Sequence, residues 1–522
     1  MMIDVLSGTM FVRENRKADK HLRQAQLGGN VISPESPSNP VNTFCFSSNH
    51  DPASRAACGR LCTISKCFRL ELTTVSPRFI RSFHSSTPRL TDGVFRALTE
   101  ARVRTPWIEA FRKKQAEGSD PTKASDKPQV PADRDLTPKR MSDSYHSVIL
   151  PLAQDPWLLD TYTNSSGHIR LGTIFMDLDA LSGVIAYKHT DDAVTTVTAA
   201  CDRITIIHPL TEICDLELSG QVTYATGRSS MEISLQVAKA PKDGGKVKNE
   251  DVLINCTFTM VSLDPGTKRP VPINPVIAET PEEKKLFTRG EQNSKRRKQL
   301  TQTSLIKHTP NDLESDLIHA YWQKQIQYHD STDPLRKPDN VHFMDTTRLQ
   351  TAAIMQPQFR NRHHFMIFGG FLLKQTFELA FCCAASFAHT RPTFVSLDPS
   401  TFQNPVPVGS VLYLTATVVY TDPPLIAAPG ETPDTNSKYT RVQVRVDSKV
   451  RNVEHGETKP TGQFNYTFNV DRDIRVMPRT YQEFMMYIDA RRRVEQVSAS
   501  VDSGEAASGE QLSPRAQESV TE

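Results

Sequence analysis

The chain repeats itself, and no other feature constrains its fold as much. Placing Pro209 over Pro405, an offset of 196 residues, lays one long segment over another without a gap. DRITIIHPLTEICDLELSGQVTY, starting at Asp202, falls on DPSTFQNPVPVGSVLYLTATVVY, starting at Asp398. Asp202 meets Asp398, Thr205 meets Thr401, Leu216 meets Leu412, Leu218 meets Leu414, Val222 meets Val418 and Tyr224 meets Tyr420. A duplication of this size is one fold used twice. It creates an interface between copies, where ligands often bind. The offset widens to 198 between Gly172 and Gly370 and to 199 between Asp179 and Glu378. The copies therefore agree best in one region and drift in another.

At 522 residues the chain has room for both copies and for tails. Hydrophobic residues make up 38%, with 35 prolines and 23% charged residues, which assigns a good share to linker or tail. A formal charge of +3 gives no electrostatic case for nucleic acid. No run approaches 18 apolar residues, so no membrane span is expected. Cys58, Cys62 and Cys67 cluster without the His/Cys partners of a zinc site, and Cys382 and Cys383 read as small hydrophobes. Free thiols in a reducing compartment follow, and neither a metal nor a cofactor is expected.

Residues 1–90 read as a leader. From Arg55 to Leu90 the basic residues are Arg55, Arg60, Lys66, Arg69, Arg78, Arg81 and Arg89, against the single acid Glu71. An Arg-rich, Ser-rich, acid-poor stretch fits import into the mitochondrial matrix. RFIRSFHSSTPRL has the form of a cleavage region, with Arg81 before Ser82, Phe83 and His84. The preceding residues include Asp4, Glu14, Asp19 and Glu35, which points to a misplaced start codon or an unusual leader. The bland alternative is a disordered cytosolic arm.

Residues 91–140 read as a linker with one short helix near 94–114. The stretch 141–272 begins with a strand (145–153) and a helix (171–189). Strands follow at 195–207, 215–226 and 230–240, then a turn KDGG (242–245) and a strand at 251–263. One antiparallel sheet around one helix is an α+β layout. A connector spans 273–340. Its helix has Thr280 as N-cap and Glu282 and Glu283 in the first turn, and its KRRK (295–298) is either a nuclear signal or a solvated face. The pattern recurs over 341–493: a strand at 341–355, a helix at 370–389, further strands, and a hairpin insertion at 423–437. Residues 494–522 read as a disordered tail.

In each copy an Asn precedes a glycine that opens the long helix: Asn164 before Gly172, and Asn361 before Gly369 and Gly370. Such a glycine lets a ligand approach backbone N–H groups at a helix N-terminus, where a developing oxyanion is stabilised. An acid interrupts each apolar helix, Asp179 in the first and Glu378 in the second. A buried carboxylate is costly, but a general base for water would justify it. The bland readings are that one of Asp177 and Asp179 is solvated, and that Glu378 pairs with Lys374 on an exposed face. No Gly-x-Ser-x-Gly elbow sits in a strand–turn–helix context, and GGK at 244–246 lacks the spacing of a phosphate loop.

NSSGHIRLGTIFMDLDALSGVIAYKHT and NRHHFMIFGGFLLKQTFELAF resemble the paired hotdog domains of acyl-CoA thioesterases, most nearly the mitochondrial acyl-coenzyme A thioesterase 9 type. RMSDSYHSVILPL, GRSSMEI, INPVIAETPEEKKLF, HTRPTFVSLD and PRTYQEFMMYIDARR extend the resemblance over roughly residues 140–490. It implies two tandem hotdog domains, each a curved antiparallel sheet around a central helix, forming a pseudo-dimer that binds CoA thioesters between its halves. It implies two candidate sites, Asn164 with Glu378 and Asn361 with Asp179. There the Asn orients water or thioester, the acid activates water, and a Gly172 or Gly370 amide polarises the carbonyl. The sequence departs from the family's pattern at Arg170-Leu171-Gly172, where a double glycine is usual. It departs again at Glu378, one position after the expected acid, where Phe377 stands. The two sites are therefore expected to be unequal, with Asn164/Glu378 slightly favoured for its intact FGG loop. Gly227, Arg228, Ser229 and Ser230 form either a hairpin turn or a contact to the nucleotide end of CoA. Further self-association is expected. The competing functions are an acyl-CoA binding module without turnover and a hotdog dehydratase. The latter would look to His168, His363 and His364, whose spacing differs from a dehydratase pair.

Overall fold

The structure, a computed structural model, describes residues 95–103, 105–118, 134–241, 245, 247–302, 304–329, 337–362, 365–427 and 439–502. The leader and its cysteines, most of the KDGG turn, His363, His364, much of the 423–437 insertion and the chain beyond 502 lie outside the described residues.

Two short helices come first, α1 (Arg96–Arg102) and α2 (Trp107–Gly118). Next are β1 (Lys139–Arg140), α3 (Met141–Ser144), β2 (His146–Leu150), α4 (Pro156–Tyr162) and the long α5 (Leu171–Thr190). Strands β3 (Thr195–Cys201), β4 (Ile204–Ile206), β5 (Leu216–Ala225), β6 (Ser230–Lys239), β7 (Val252–Leu263) and β8 (Val276–Ile277) lead to α6 (Pro281–Gln302) and α7 (Asp312–His329). The second pass runs β9 (Val341–Phe343), β10 (Leu349–Ile354), α8 (Gly369–Ala388), β11 (Thr393–Leu397), β12 (Ser400–Phe402), β13 (Val411–Asp422), β14 (Thr440–Arg451), β15 (Thr458–Val470), β16 (Arg475–Met477) and α9 (Tyr481–Asp502). The strand expected over 341–355 is broken by a 3-10 turn at Met344–Thr347.

Twelve strands among the described residues form one sheet, in the order β10–β13–β14–β15–β11–β4–β7–β6–β5–β2, with β3 and β12 paired beside this path. The pairing repeats across the centre: β11 pairs with β4, and their equivalents at the 196-residue offset, β3 and β12, pair with each other. The seam at its centre is short: Ser396 opposes Thr205 and Leu397 opposes Ile204, while Ser400 opposes Cys201 and Thr401 opposes Ala200. Helices α5 and α8 pack on the sheet and on each other. Both are apolar around most of their circumference, as core helices must be. Helix α8 is also the one described helix long and apolar enough to cross a membrane, and 61% of that window is buried within the protein.

The 196-residue offset marks a real structural device. Register slips between Val222 and Tyr224 where β5 meets β6, and between Val418 and Tyr420 where β13 meets β14. Such bulges bend a strand and increase its twist, which wraps the sheet around a helix. Each bulge has its own hydroxyl partner: Val222 N–H donates to Ser144 Oγ at 2.9 Å and Val418 N–H to Thr347 Oγ1 at 3.1 Å.

Helix α6 also belongs to the repeat, although the sequence reads as a connector there. Thr280 and Glu283 form a capping box on α6, and Thr480 and Glu483 form the same box on α9. Arg297 of α6 then reaches Asp202 at 2.6 Å, and Arg493 of α9 reaches Asp398 at 3.4 Å. These pairs stand 196 residues apart, like the sheet itself. Arg297 also binds buried Glu232 at 3.2 Å, so the KRRK stretch is not a wholly solvated face. Helix α7 docks on α9 through Glu314 and Arg492 at 2.6 Å and through Tyr321 and Tyr487 at 2.9 Å. The disordered tail expected from 494 is helical as far as Asp502.

Candidate active site

Neither α5 nor α8 begins with a side-chain cap; the residues before them are Arg170 and Phe368. At α8 the other copy supplies what is missing. Gly370 N–H donates to Asp179 Oδ2 at 2.6 Å, and Thr198 Oγ1 of β3 donates to Asp179 Oδ1 at 2.8 Å. The approach is possible because residues 369 and 370 are glycines. A Cβ on Gly370 would lie 2.8 Å from the Met176 carbonyl oxygen and 2.9 Å from Asp179 Cβ. A Cβ on Gly369 would lie 3.3 Å from both Asp179 carboxylate oxygens.

Asp179 is 4% exposed and Asp177 0%, so neither is solvated, contrary to the expectation for one of them. Burial pushes Asp179 up to about 6 against the bonds from Thr198 and Gly370 and the charge of Arg102. Burial likewise pushes Asp177 up to about 7. Asp177 is held by the Tyr162 hydroxyl and by Phe95 N–H at 3.0 Å. A buried carboxylate that titrates near neutrality and touches a helix N-terminus suits proton transfer.

The loop carrying Asn361 is tied to both halves. Arg360 and Ile367 form an antiparallel bridge, and Asn361 N–H donates to the Met366 carbonyl at 2.7 Å. Arg362 pairs with Asp192 at 2.6 Å, just past the end of α5, and lies 4.4 Å over the Tyr187 ring. Asn361 is therefore fixed in a loop that ends at Gly369 and Gly370, beside Asp179.

The opposite end is built differently. A Cβ on Gly172 would meet Phe377 Cδ1 at 3.3 Å, so the group facing this glycine is an aromatic ring. Phe377 packs edge-on against Phe175, Phe394 and Tyr466, with centroids 5.3, 5.4 and 5.8 Å away. Glu378 points elsewhere and pairs with Arg170 at 2.6 Å, its side chain 36% exposed. Lys374, the alternative partner read from the sequence, is buried, and its charge acts on Asp177. Asn164 Oδ1 accepts from Ser166 N–H at 2.9 Å and His168 N–H at 3.1 Å, shaping its own turn. Arg391 reaches that turn at the Ser166 hydroxyl. An apolar cavity lined by Ile169, Leu171, Ile174, Leu216 and Ile254 opens beneath the first turn of α5, at this Gly172 end.

Gly227–Ser230 is the hairpin turn between β5 and β6, with Gly227 at φ +81°, a conformation that suits glycine. Arg228 is exposed at its tip. Met231, just past the turn, opposes Met260, which opposes Thr198. The turn thus starts two strands, roughly 10 Å, from the partner of Asp179.

Thr198, Tyr162 and Arg102 were not among the residues singled out from the sequence. One signal was available for the acid itself. Gly172 to Asp179 and Gly370 to Phe377 are both spans of seven residues, which aligns Phe377, not Glu378, with Asp179.

No family model matches the chain. Among curated proteins it is 33% identical over 375 residues to mouse acyl-coenzyme A thioesterase 10, mitochondrial, covering 70% of this chain and 80% of that one. It is 34% identical over 372 residues to human acyl-coenzyme A thioesterase 9, mitochondrial, with the same coverage. It is 33% identical over 381 residues to acyl-coenzyme A thioesterase 2, chloroplastic, of Humulus lupulus, covering 71% and 83%. Among solved structures, an acyl-CoA hydrolase from Staphylococcus aureus overlays with a TM-score of 0.27 at 22% identity, covering 32% of this chain and 94% of that one. The extent and level of the curated matches place the protein: the chain belongs to the acyl-CoA thioesterase family.

Proposed function

We propose that this mitochondrial acyl-CoA thioesterase works as two tandem hotdog units, β1 to α6 and β9 to α9, arranged as a pseudo-dimer that hydrolyses at the Asp179 end. The observation that carries this reading is the bond between Asp179 of one unit and the Gly370 amide of the other. The thioester carbonyl takes over the Gly370 N–H and releases the carboxylate to work on water. Asn361, on the loop leading to that amide, orients the thioester or the water.

The water oxygen attacks the carbonyl carbon and Asp179 takes the proton. The oxyanion is held at the N-terminus of α8. As it collapses, the C–S bond breaks and the thiolate of CoA receives the proton from Asp179. The products are a fatty acid and free CoA. At the other end Phe377 stands where the base would be, so Asn164, Gly172 and Glu378 support structure there. Arg228 offers an exposed cation for the nucleotide phosphates. Self-association fits the end strands of the sheet among the described residues, where β2 and β10 expose Ile149 and Ile354.

The test is CoA release from a panel of acyl-CoAs by full-length wild type, D179N and E378Q. Loss of turnover in D179N alone supports the reading; full activity in D179N ends it. Free thiol as product separates hydrolysis from dehydration, which would give an enoyl-CoA. Calorimetric binding without thiol release would favour a binding module.

A further inference from the structure

The stretch before the first strand was expected to be a linker, yet part of it is built into the Asp179 end. Leu98 of α1 is 1% exposed and belongs to the core, and α1 packs along α5. Phe95 N–H holds Asp177, as described above. At its other end the segment grips the second half. The Arg102 guanidinium donates to the Arg360 carbonyl and lies 4.1 Å over the Phe368 ring. Arg360 returns the contact, donating to the Thr105 carbonyl at 2.7 Å. Trp107 packs edge-on against Phe365 at 5.7 Å, and Lys114 lies 4.3 Å over the same ring.

Arg360 precedes Asn361, and Phe368 precedes Gly369 and Gly370. Arg102 therefore holds the residue before Asn361 and the residue before Gly369 and Gly370. Its charge also acts on Asp179 and Asp177. We propose that Arg102 is a positioning residue of the thioesterase site, holding Arg360 beside Asn361 and Phe368 beside Gly369 and Gly370, and setting a fixed positive charge at the Asp179 end. The proposal rests on the reading of Asp179 as the base.

Among the described residues, few charged and titratable groups act on Asp179 and its neighbour Asp177. Arg102 comes from α1, Asp177 from its own helix, Cys201 from β3, and Lys374 of α8 acts on Asp177. Arg360 opposes Arg102. Of the described cations, Arg102 is the one whose charge lowers Asp179. Burial lowers Arg102 itself to about 10, so it stays charged across the working range.

The experiment is the pH profile of kcat/KM for full-length wild type, R102A, R102K and D179N, with melting temperatures alongside. Removing the cation raises the pKa of Asp179, so the acid limb of R102A moves up by roughly one pH unit. Its kcat/KM falls about fivefold at pH 6 and less than about twofold at pH 8.5. R102K, which keeps the charge, returns the limb most of the way. A folded R102A with the wild-type limb, or R102K no different from R102A, overturns the proposal. Should R102A not fold, R102Q makes the same comparison with a donor retained toward the Arg360 carbonyl. D179N separates the two failures. Full activity there removes the base and this proposal together, while an inactive D179N beside an unmoved R102A limb removes only the role of Arg102.

Discussion

The two ends of the helix pair share one scaffold and differ in one decisive position. Seven residues into α5 from Gly172 stands Asp179, against the Gly370 amide; seven residues into α8 from Gly370 stands Phe377, against Gly172. One end holds a nearly buried carboxylate that titrates near neutrality, and the other holds a ring in an aromatic cluster. A carboxylate in this environment is a standing cost, while an aromatic in the same place contributes packing. The difference teaches that the repeat conserves architecture, through bulges, capping boxes and arginine pairs, more strictly than it conserves chemistry.

The largest effect should come from D179N. Loss of a general base costs about 100- to 10,000-fold in rate, read as CoA release, while E378Q in parallel should fall less than about twofold. Equal losses in the two variants would erase the contrast between the ends. Next is G370A, whose added methyl must displace the Met176 backbone or Asp179. A loss of tenfold or more in kcat is expected, with overpacking of about 1–3 kcal/mol seen in thermal unfolding. G172A, with 3.3 Å to a side chain, should be milder on both counts.

A third test reverses the sign. F377A removes a fully buried ring and should cost about 3–5 kcal/mol of stability. D179N, by contrast, should melt no lower than wild type, because it relieves a buried charge. The pH dependence sharpens this. The folded pKa values of Asp179 and Asp177, about 6 and about 7, lie above the unfolded value of 3.8. The folded state thus holds protons that the unfolded chain gives up, so this contribution to stability is complete below about pH 4 and lost as pH rises to 7. Activity runs the other way, falling as pH drops through about 6 and Asp179 takes its proton. Melting temperature and kcat/KM measured on one pH series should therefore move in opposite directions. The smallest effect belongs to Glu378: its half-exposed pair with Arg170 is worth less than about 1 kcal/mol.

Much of this was legible. Long apolar runs announced α5 and α8, alternating runs announced most strands, and Thr280 with Glu283 announced the start of α6. The position of the proposed base was harder, because an acid does occur near the right place in both helices. Only helical register, one residue apart, separates Phe377 facing Gly172 from Glu378 facing Arg170. The equivalence of α6 and α9 was hidden because their capping boxes are 200 residues apart while their arginines are 196 apart, a slip of about one helical turn. Helix α1 was hidden by its polarity: among its residues Leu98 alone is buried.

The facing of Phe377 and Gly172 has a consequence for inheritance. Had the halves been separate copies of one chain about a two-fold axis, each residue would occur at both ends. A phenylalanine replacing the acid would then have silenced both sites at once. Joined in one polypeptide, the ends are written by different codons. One can be recruited into the core while the other keeps its acid, and the molecule is free to be catalytic on one side only.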